Sequence, residues 1–316
     1  MSAARRRLQS RTGQRRGPGL KARRSVRAFS LLALAALAQC APDSEILGKD
    51  GAVMLLIPAG QFTRGGKPEE VADHPRSKGF NFLAEQPLHE VRLAAYYIDK
   101  YEVTNEQYWR FLDYLEATGD TTLDHPDQPP AYSHEQRDVG GGKIGAALRG
   151  KRQPAVGLSW FDAYAYCSWA DKRLPSAAEW EYAARGSNYR TYPWGDERPD
   201  AAGIWRANFD PEVGRAEDGY EVTAPIGSYP DGNSPFGVAD MSGNAEEWVY
   251  DWMQPRSYLS LPEIVDSPIG PAEGVNRTIK GGSYSSHSHY IRIGTRLYGP
   301  PFVKTRLQGF RCARDS

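Results

Sequence analysis

Cysteine is scarce in this chain, with three in 316 residues: Cys40, Cys167 and Cys312. At most one intrachain disulfide can form. Long apolar runs are missing too, and the run from Ala28 to Ala38, eleven residues, is too short to span a bilayer. No internal repeat of fixed period and no low-complexity stretch interrupts the body, so neither a solenoid nor an array is indicated. A phosphate loop is also absent. Gly140-Gly141-Gly142-Lys143-Ile144 has its first glycine at the wrong spacing, and Ile144 stands where Ser or Thr would coordinate magnesium.

Acidic residues are missing from one end only. The formal charge is zero, with 39 Lys and Arg against 39 Asp and Glu, yet residues 1–27 hold ten of the bases and no acid. The remainder therefore sets 29 bases against 39 acids, a formal −10. A net-acidic body argues against nucleic acid or an anionic membrane as partner. The basic head, the short apolar run and Ala36-Leu37-Ala38 together read as an export signal over residues 1–39. That predicts a periplasmic or envelope-associated protein. Leu37-Ala38-Gln39-Cys40 is similar to a bacterial lipobox, although Gln39 takes the place of a small residue. Cys40 is thus a candidate for lipidation, and the only route to a membrane. Arg23-Arg24 offers a weak twin-arginine signal. Cys167 and Cys312 are left as an even pair, open to a disulfide in an oxidising compartment or to two buried thiols.

Residues 40–51 read as a tether, and one continuous domain follows from about residue 52 to 316. Val53 to Ile57, stopped by Pro58, predicts a strand, as does the stretch from Gly60 to Arg64 between turns. Val91 to Asp99 reads as a further strand. Three capping boxes announce helices: Thr104 with Gln107, Ser159 with Asp162, and Ser176 with Glu179. The first should end near Gly119, the second covers Trp160 to Ala170, and the third runs from Ala177 to Arg185 with Gly186 as its stop. Beyond Gly186 the pattern is irregular, and the 32 Gly, 23 Pro and eight Trp of the chain suit a fold that buries aromatics under loops.

The densest chemistry lies in Lys280-Gly281-Gly282-Ser283-Tyr284-Ser285-Ser286-His287-Ser288-His289-Tyr290-Ile291. If extended, it would put His287, His289 and Ile291 on one face. Two oxygen-rich clusters accompany it. Asp240, Gly243, Ala245 and Glu247 alternate side-chain and carbonyl oxygens, while Asn208, Phe209, Asp218 and Tyr220 come from two loops. Calcium prefers such ligands, although Asx turns bonded to their own backbone need no metal.

The ordered motifs Asp99 to Asn105, Pro154 to Trp160, Ala165 to Trp169, Lys172 to Arg185, Tyr192-Pro193-Trp194-Gly195, Asp240 to Trp248, Gly281-Gly282-Ser283-Tyr284 and Gly309-Phe310-Arg311-Cys312 carry a resemblance. The chain resembles the sulfatase-modifying-factor family, of which formylglycine-generating enzyme is a member, over roughly residues 52–314. The resemblance implies an α+β, C-type-lectin-like fold, irregular and poor in regular secondary structure. It implies calcium as a structural cofactor at both oxygen clusters. Asn208, Asp218, Asp240 and Glu247 would bind by side chain, and Phe209, Tyr220, Gly243 and Ala245 by carbonyl. It also implies a Cys167–Cys312 disulfide.

At the active site the chain departs from that family. Formylglycine-generating enzymes bind copper(I) through two cysteines after the Gly-Gly-Ser-Tyr motif, and the matching positions here are Ser286 and Ile291. Neither residue is a soft ligand, so copper is not expected. Ser283 and His287 match family residues near the pocket, and Glu246 replaces a Trp that lines the substrate groove. The expectation is an exported protein that binds a peptide or another macromolecular partner. The alternative is a periplasmic maturation enzyme, modifying a siderophore or peptide without copper, with Glu246, His287 and Ser283 as its catalytic candidates.

Overall fold

A computed structural model describes residues 43–72, 80–138, 142–210 and 217–316. The expected export signal, Cys40 and the first two glycines of the Gly140 run lie outside the described residues. Among the described residues, eleven short strands, three helices of nine or more residues and one helical turn at Phe80–Leu83 lie in the unit from Pro42 to Ser316. None exceeds the 14 residues of the longest helix. Among the described residues no helix is long and apolar enough to cross a membrane.

Local chemistry sets the helices. In α1 (Asn105–Thr118), α2 (Trp160–Trp169) and α3 (Ala177–Arg185) the N-cap hydroxyl accepts from the N3 backbone and the N3 side chain reaches back. All three capping boxes form as expected, each satisfying two amides that the helix leaves unbonded. Gly119 then closes α1 in the left-handed region at φ 64°, where glycine costs least.

The strands form three sheets. In the first, β1 (Glu45–Leu47), β2 (Val53–Ile57), β5 (Tyr96–Asp99) and β11 (Ala313–Asp315) run antiparallel in the order β1-β2-β5-β11. The second is ordered β10-β6-β8-β9, from β6 (Glu246–Trp252), β8 (Arg277–Lys280), β9 (Leu297–Gly299) and β10 (Gln308–Phe310), with β10 parallel to β6. In the third, β4 (His89–Leu93) lies between β3 (Gly60–Arg64) and β7 (Ile264–Asp266). The single strand expected over residues 91–99 is therefore two. It breaks at Ala94-Ala95, and its halves serve different sheets. Both halves are apolar and β-forming, with no Gly or Pro at the corner, so the break leaves no local mark.

One apolar core packs Trp180, Tyr182 and Ala183 of α3 on Phe62, Val91 and Ile98 of the first and third sheets. A second joins Tyr108, Phe111, Trp160 and Tyr166 of α1 and α2 to Trp248 and Phe310. Within it, Cys167 and Cys312 form a disulfide with Cα atoms 5.7 Å apart across 145 residues. The pair left open by spacing alone is thus oxidised. Next to the bridge, Lys172 Nζ is fully buried between Asp50 (2.8 Å) and Asp99 (2.7 Å), and Asp99 Oδ2 accepts from the Cys312 amide at 2.9 Å. Burial pushes Asp99 up to about 6 despite the Lys172 ammonium.

Candidate functional site

The Gly-Gly-Ser-Tyr motif follows directly on β8, and both glycines are left-handed, at φ 85° and 67°. A side chain at Gly282 would also meet Ile291 Cγ2 at 2.8 Å and the Tyr290 carbonyl at 2.9 Å. Glycine is required there. The motif is fastened to the loop before β6 by Gly243 N–H to Gly281 O (2.9 Å) and Tyr284 N–H to Asn244 O (2.9 Å). Two motifs forty residues apart in sequence are thereby packed against each other.

After Tyr284 the chain is not extended. Ser286 N–H closes a turn onto Ser283 O, and Tyr290 N–H closes another onto His287 O. The shared face for His287, His289 and Ile291 does not exist, because consecutive turns replace the period-two alternation. Ser283 is fully buried, and its amide donates to Ser286 Oγ at 3.1 Å, with the two hydroxyls 3.2 Å apart. Ile291 is fully buried among Tyr192, Ala207 and Phe209, with Trp194 and Trp205 packed outside. Its carbonyl accepts from Ser242 Oγ at 2.8 Å. His287 is half-buried at the head of the second turn.

Glu246 opens β6, half-buried and in register with Gln308 of β10. Burial pushes its carboxyl up to about 7, with the Gln308 amide as a partial offset. Gln308 Oε1 is itself buried without a partner among the described residues. Tyr284 is close enough to feel Glu246, and burial raises its phenol, with Arg306 opposing and Asp138 and Glu246 reinforcing. The three catalytic candidates are thus held in different ways: Ser283 by Ser286, Glu246 by Gln308, and His287 by its place in a turn. Tyr284 stands beside Glu246.

The oxygen clusters sit just behind this surface. Asn208 donates through Nδ2 to Val222 O (2.9 Å) and Asn244 Oδ1 (3.0 Å), while its Oδ1 is buried and unpartnered. Asp218 accepts from the Phe209 amide (2.7 Å) and the Tyr220 amide (3.2 Å), which draws Asn208, Phe209, Asp218 and Tyr220 together. Burial raises the Asp218 carboxyl, and these amides offset part of that rise. In the second set, Asp240 takes a left-handed φ of 56° and accepts from Gly227 N–H at 2.7 Å. Glu247 is fully buried and gripped by Arg311 Nε and Nη2 at 2.7 Å each, with Trp180 Nε1 at 2.8 Å.

Sequence reasoning assigned no role to Glu102, which belongs to this cluster. It accepts from Asn244 Nδ2 at 3.0 Å, and its Oε2 is buried without a partner. Burial raises Glu102 well above its ordinary range, with the Asp240 charge reinforcing, and burial likewise pushes Asp240 up to about 6. Three carboxylates therefore crowd one guanidinium. Among the described residues, however, no three His, Cys, Asp or Glu side chains converge on one metal position. A cation here would depend on amide and carbonyl oxygens as well.

Comparison with known proteins agrees with this architecture. A family model described as the sulfatase-modifying factor enzyme 1-like domain matches residues 43–316. The formylglycine-generating enzyme of Streptomyces coelicolor is 36% identical over 89% of this chain and 95% of its own length. That of Bos taurus is 35% identical over 83% of this chain and 74% of its own. Among solved structures, PvdO from Pseudomonas aeruginosa superposes with a TM-score of 0.66 at 30% identity, covering 87% of this chain and 99% of that one. The order of motifs, the mixed sheets and the loop-built site together show that this chain belongs to the sulfatase-modifying factor enzyme 1-like family.

Proposed function

We propose that this is an exported sulfatase-modifying-factor-like protein that binds a peptide segment of a macromolecular partner at the surface between Glu246 and Gly281–Ser288, without copper-thiolate oxidation. The observation that carries this reading is the state of the two positions matched to copper-binding cysteines. The Ser286 hydroxyl is engaged with Ser283, and Ile291 is closed inside an aromatic cluster. Neither presents a soft donor to a metal, whereas exposed Ser285 with half-buried Tyr284 and His287 beside it suits polar and aromatic contacts to a peptide. Relatives named for formylglycine generation share the fold, and fold alone does not transfer their reaction.

Structural calcium is part of the same proposal. Asn208 Oδ1 is a buried oxygen that a hard cation would satisfy, beside the Asp218 carboxylate and the Phe209 and Tyr220 carbonyls. At Asp240, Gly243, Ala245 and Glu247 the supporting observation is charge: Glu102, Asp240 and Glu247 outnumber Arg311. Calcium would supply the missing positive charge and tie the loops that carry the surface. The expected export signal at residues 1–39, with Cys40 as lipid attachment point, supports a periplasmic or envelope-associated location for this activity.

A second reading is favoured by Glu246, a half-buried carboxyl beside Tyr284 with no cation paired to it among the described residues. It would be the acid or base of a non-copper maturation enzyme acting on a siderophore or peptide, with His287 as the other candidate. One experiment separates the readings. The purified protein is assayed for copper(I) affinity by competition with a chelator and for oxidation of a Cys-x-Pro-x-Arg peptide, and in cells a photo-cross-linking residue replaces exposed Ser285. A cross-linked protein partner without peptide oxidation supports binding. Tight copper(I) with turnover overturns it, and metabolite changes on gene deletion that Glu246→Gln fails to rescue favour the enzyme.

A further inference from the structure

Adjacent residues of β6 face opposite ways. Glu247 is turned inward and fully buried, and Arg311 holds both of its oxygens at 2.7 Å. Glu246 is turned to the other side, half-buried, and among the described residues no cation is paired with it. Its side-chain partner is Gln308, its register neighbour on β10. That bond uses the N–H side of the Gln308 amide. The other side, Oε1, is buried without a partner among the described residues, in a residue only 8% exposed. A carboxyl group and an orphaned acceptor are thus held together, and no charged donor accompanies them. The Tyr284 phenol lies next to Glu246, and the charges acting on it are two acids, Glu246 and Asp138, against one base, Arg306. Arg306 is exposed, and its backbone N–H is turned to Asp138 Oδ1 at 3.3 Å.

A carboxyl withdrawn from water without a counter-charge is costly to ionise, and burial accordingly pushes Glu246 up to about 7. A cation brought from outside the chain reverses that, because an opposite charge close by favours the ionised form. Glu246 is open enough to meet one, since the residue keeps part of its surface in solvent. The neighbouring phenol suits the same ligand, because an aromatic face attracts ammonium and guanidinium groups. The charge of the whole body acts in the same direction. Residues 28–316 carry 29 bases against 39 acids, and such a field draws cationic segments to the surface and turns acidic ones away.

We propose that Glu246 anchors a basic side chain of the peptide segment bound at this surface, a lysine or arginine whose positive group meets the carboxylate and rests against the Tyr284 ring; this specificity rests on the peptide-binding reading above. Random peptides displayed on phage are selected on the full-length protein, and the selected peptides are then titrated by fluorescence anisotropy. Wild type should enrich peptides with Lys or Arg at one position. Replacing that residue by uncharged norleucine should weaken binding by about tenfold or more. Glu246→Gln, checked for folding by circular dichroism, should shrink that ratio to about twofold or less, and Glu246→Lys should enrich Asp or Glu there instead. The norleucine comparison needs no protein variant, so it stays decisive if the Glu246 variants do not fold. Enriched peptides without a basic residue, a norleucine peptide that binds as well as its parent, or a preference unchanged in folded Glu246→Gln would overturn the basic anchor and leave peptide binding standing. Enrichment of no peptide by the wild type would overturn the peptide-binding reading and the anchor with it.

Discussion

Arg311 and Glu247 face each other with no solvent access, joined by two N–H to oxygen bonds of 2.7 Å across 64 residues of sequence. The same guanidinium also donates to the carbonyls of Asp99, Lys100 and Ala239. One side chain thus ties β10 and β11 to β5 and to the loop before β6. Removing a single partner leaves the other charge buried and unpaired, a loss of about 3–5 kcal/mol. Arg311→Met should lower the denaturation midpoint accordingly, and the Arg311→Met, Glu247→Gln double variant should recover part of the loss. Additive losses in chemical denaturation would count against the pair.

The Cys167–Cys312 bridge closes 145 residues between α2 and the strand pair at the C-terminus. Replacing both cysteines by alanine should cost about 2–5 kcal/mol. The measurement is urea denaturation of the variant beside the wild type with and without reductant. The wild type in reductant should approach the variant, and the variant should ignore reductant.

His134 lies between two carboxylates, with Nδ1 3.0 Å from Asp162 and Nε2 3.1 Å from Asp124. Asp162 also meets Lys304 Nζ at 2.9 Å and Tyr132 Oη at 3.4 Å. Burial lowers the imidazole, but the two carboxylates outweigh it and the net shift is upward. A raised histidine contributes stability that is full below its unfolded pKa of about 6.5 and is lost as pH climbs through the folded value. Melting temperature should therefore fall as pH rises from about 6.5 into the mildly alkaline range. His134→Gln should flatten that slope, and an unchanged slope would remove the assignment.

Calcium should raise the melting temperature of wild-type protein, and chelator should lower it. Asn208→Ala removes the unpartnered oxygen and should blunt the response, on an apo protein already weakened by about 1–3 kcal/mol through loss of the Nδ2 bonds to Val222 and Asn244. The check is a thermal-shift titration with calcium against magnesium, which demands stricter octahedral geometry and should stabilise less. Equal shifts in wild type and Asn208→Ala would exclude that oxygen as a ligand.

Among the features legible in sequence, the helices were clearest. A capping box acts over three residues, so Thr104, Ser159 and Ser176 declared their helices without outside help. The family, the α+β class and the disulfide followed from ordered motifs. Strand partners did not, because pairing energy comes from chain far away. The stretch from Val91 to Asp99 reads as one strand, yet β4 pairs with β3 and β7 while β5 pairs with β2 and β11. The segment after Gly282 misled in the same way. Its alternation suggested an extended face, but the steric demand of Ile291 and Tyr290 on Gly282, and the turns at Ser283 and His287, fold it back.

By itself, then, the sequence determined which segments become helices and which residue types stand at the family's positions, because those depend on near neighbours and on identity. Tertiary structure alone decided that Glu102 joins Asp240 and Glu247 around one guanidinium, and that Ile291 is sealed from solvent. Each depends on desolvation and on charges brought together from distant parts of the chain, and neither quantity is defined until the chain has packed.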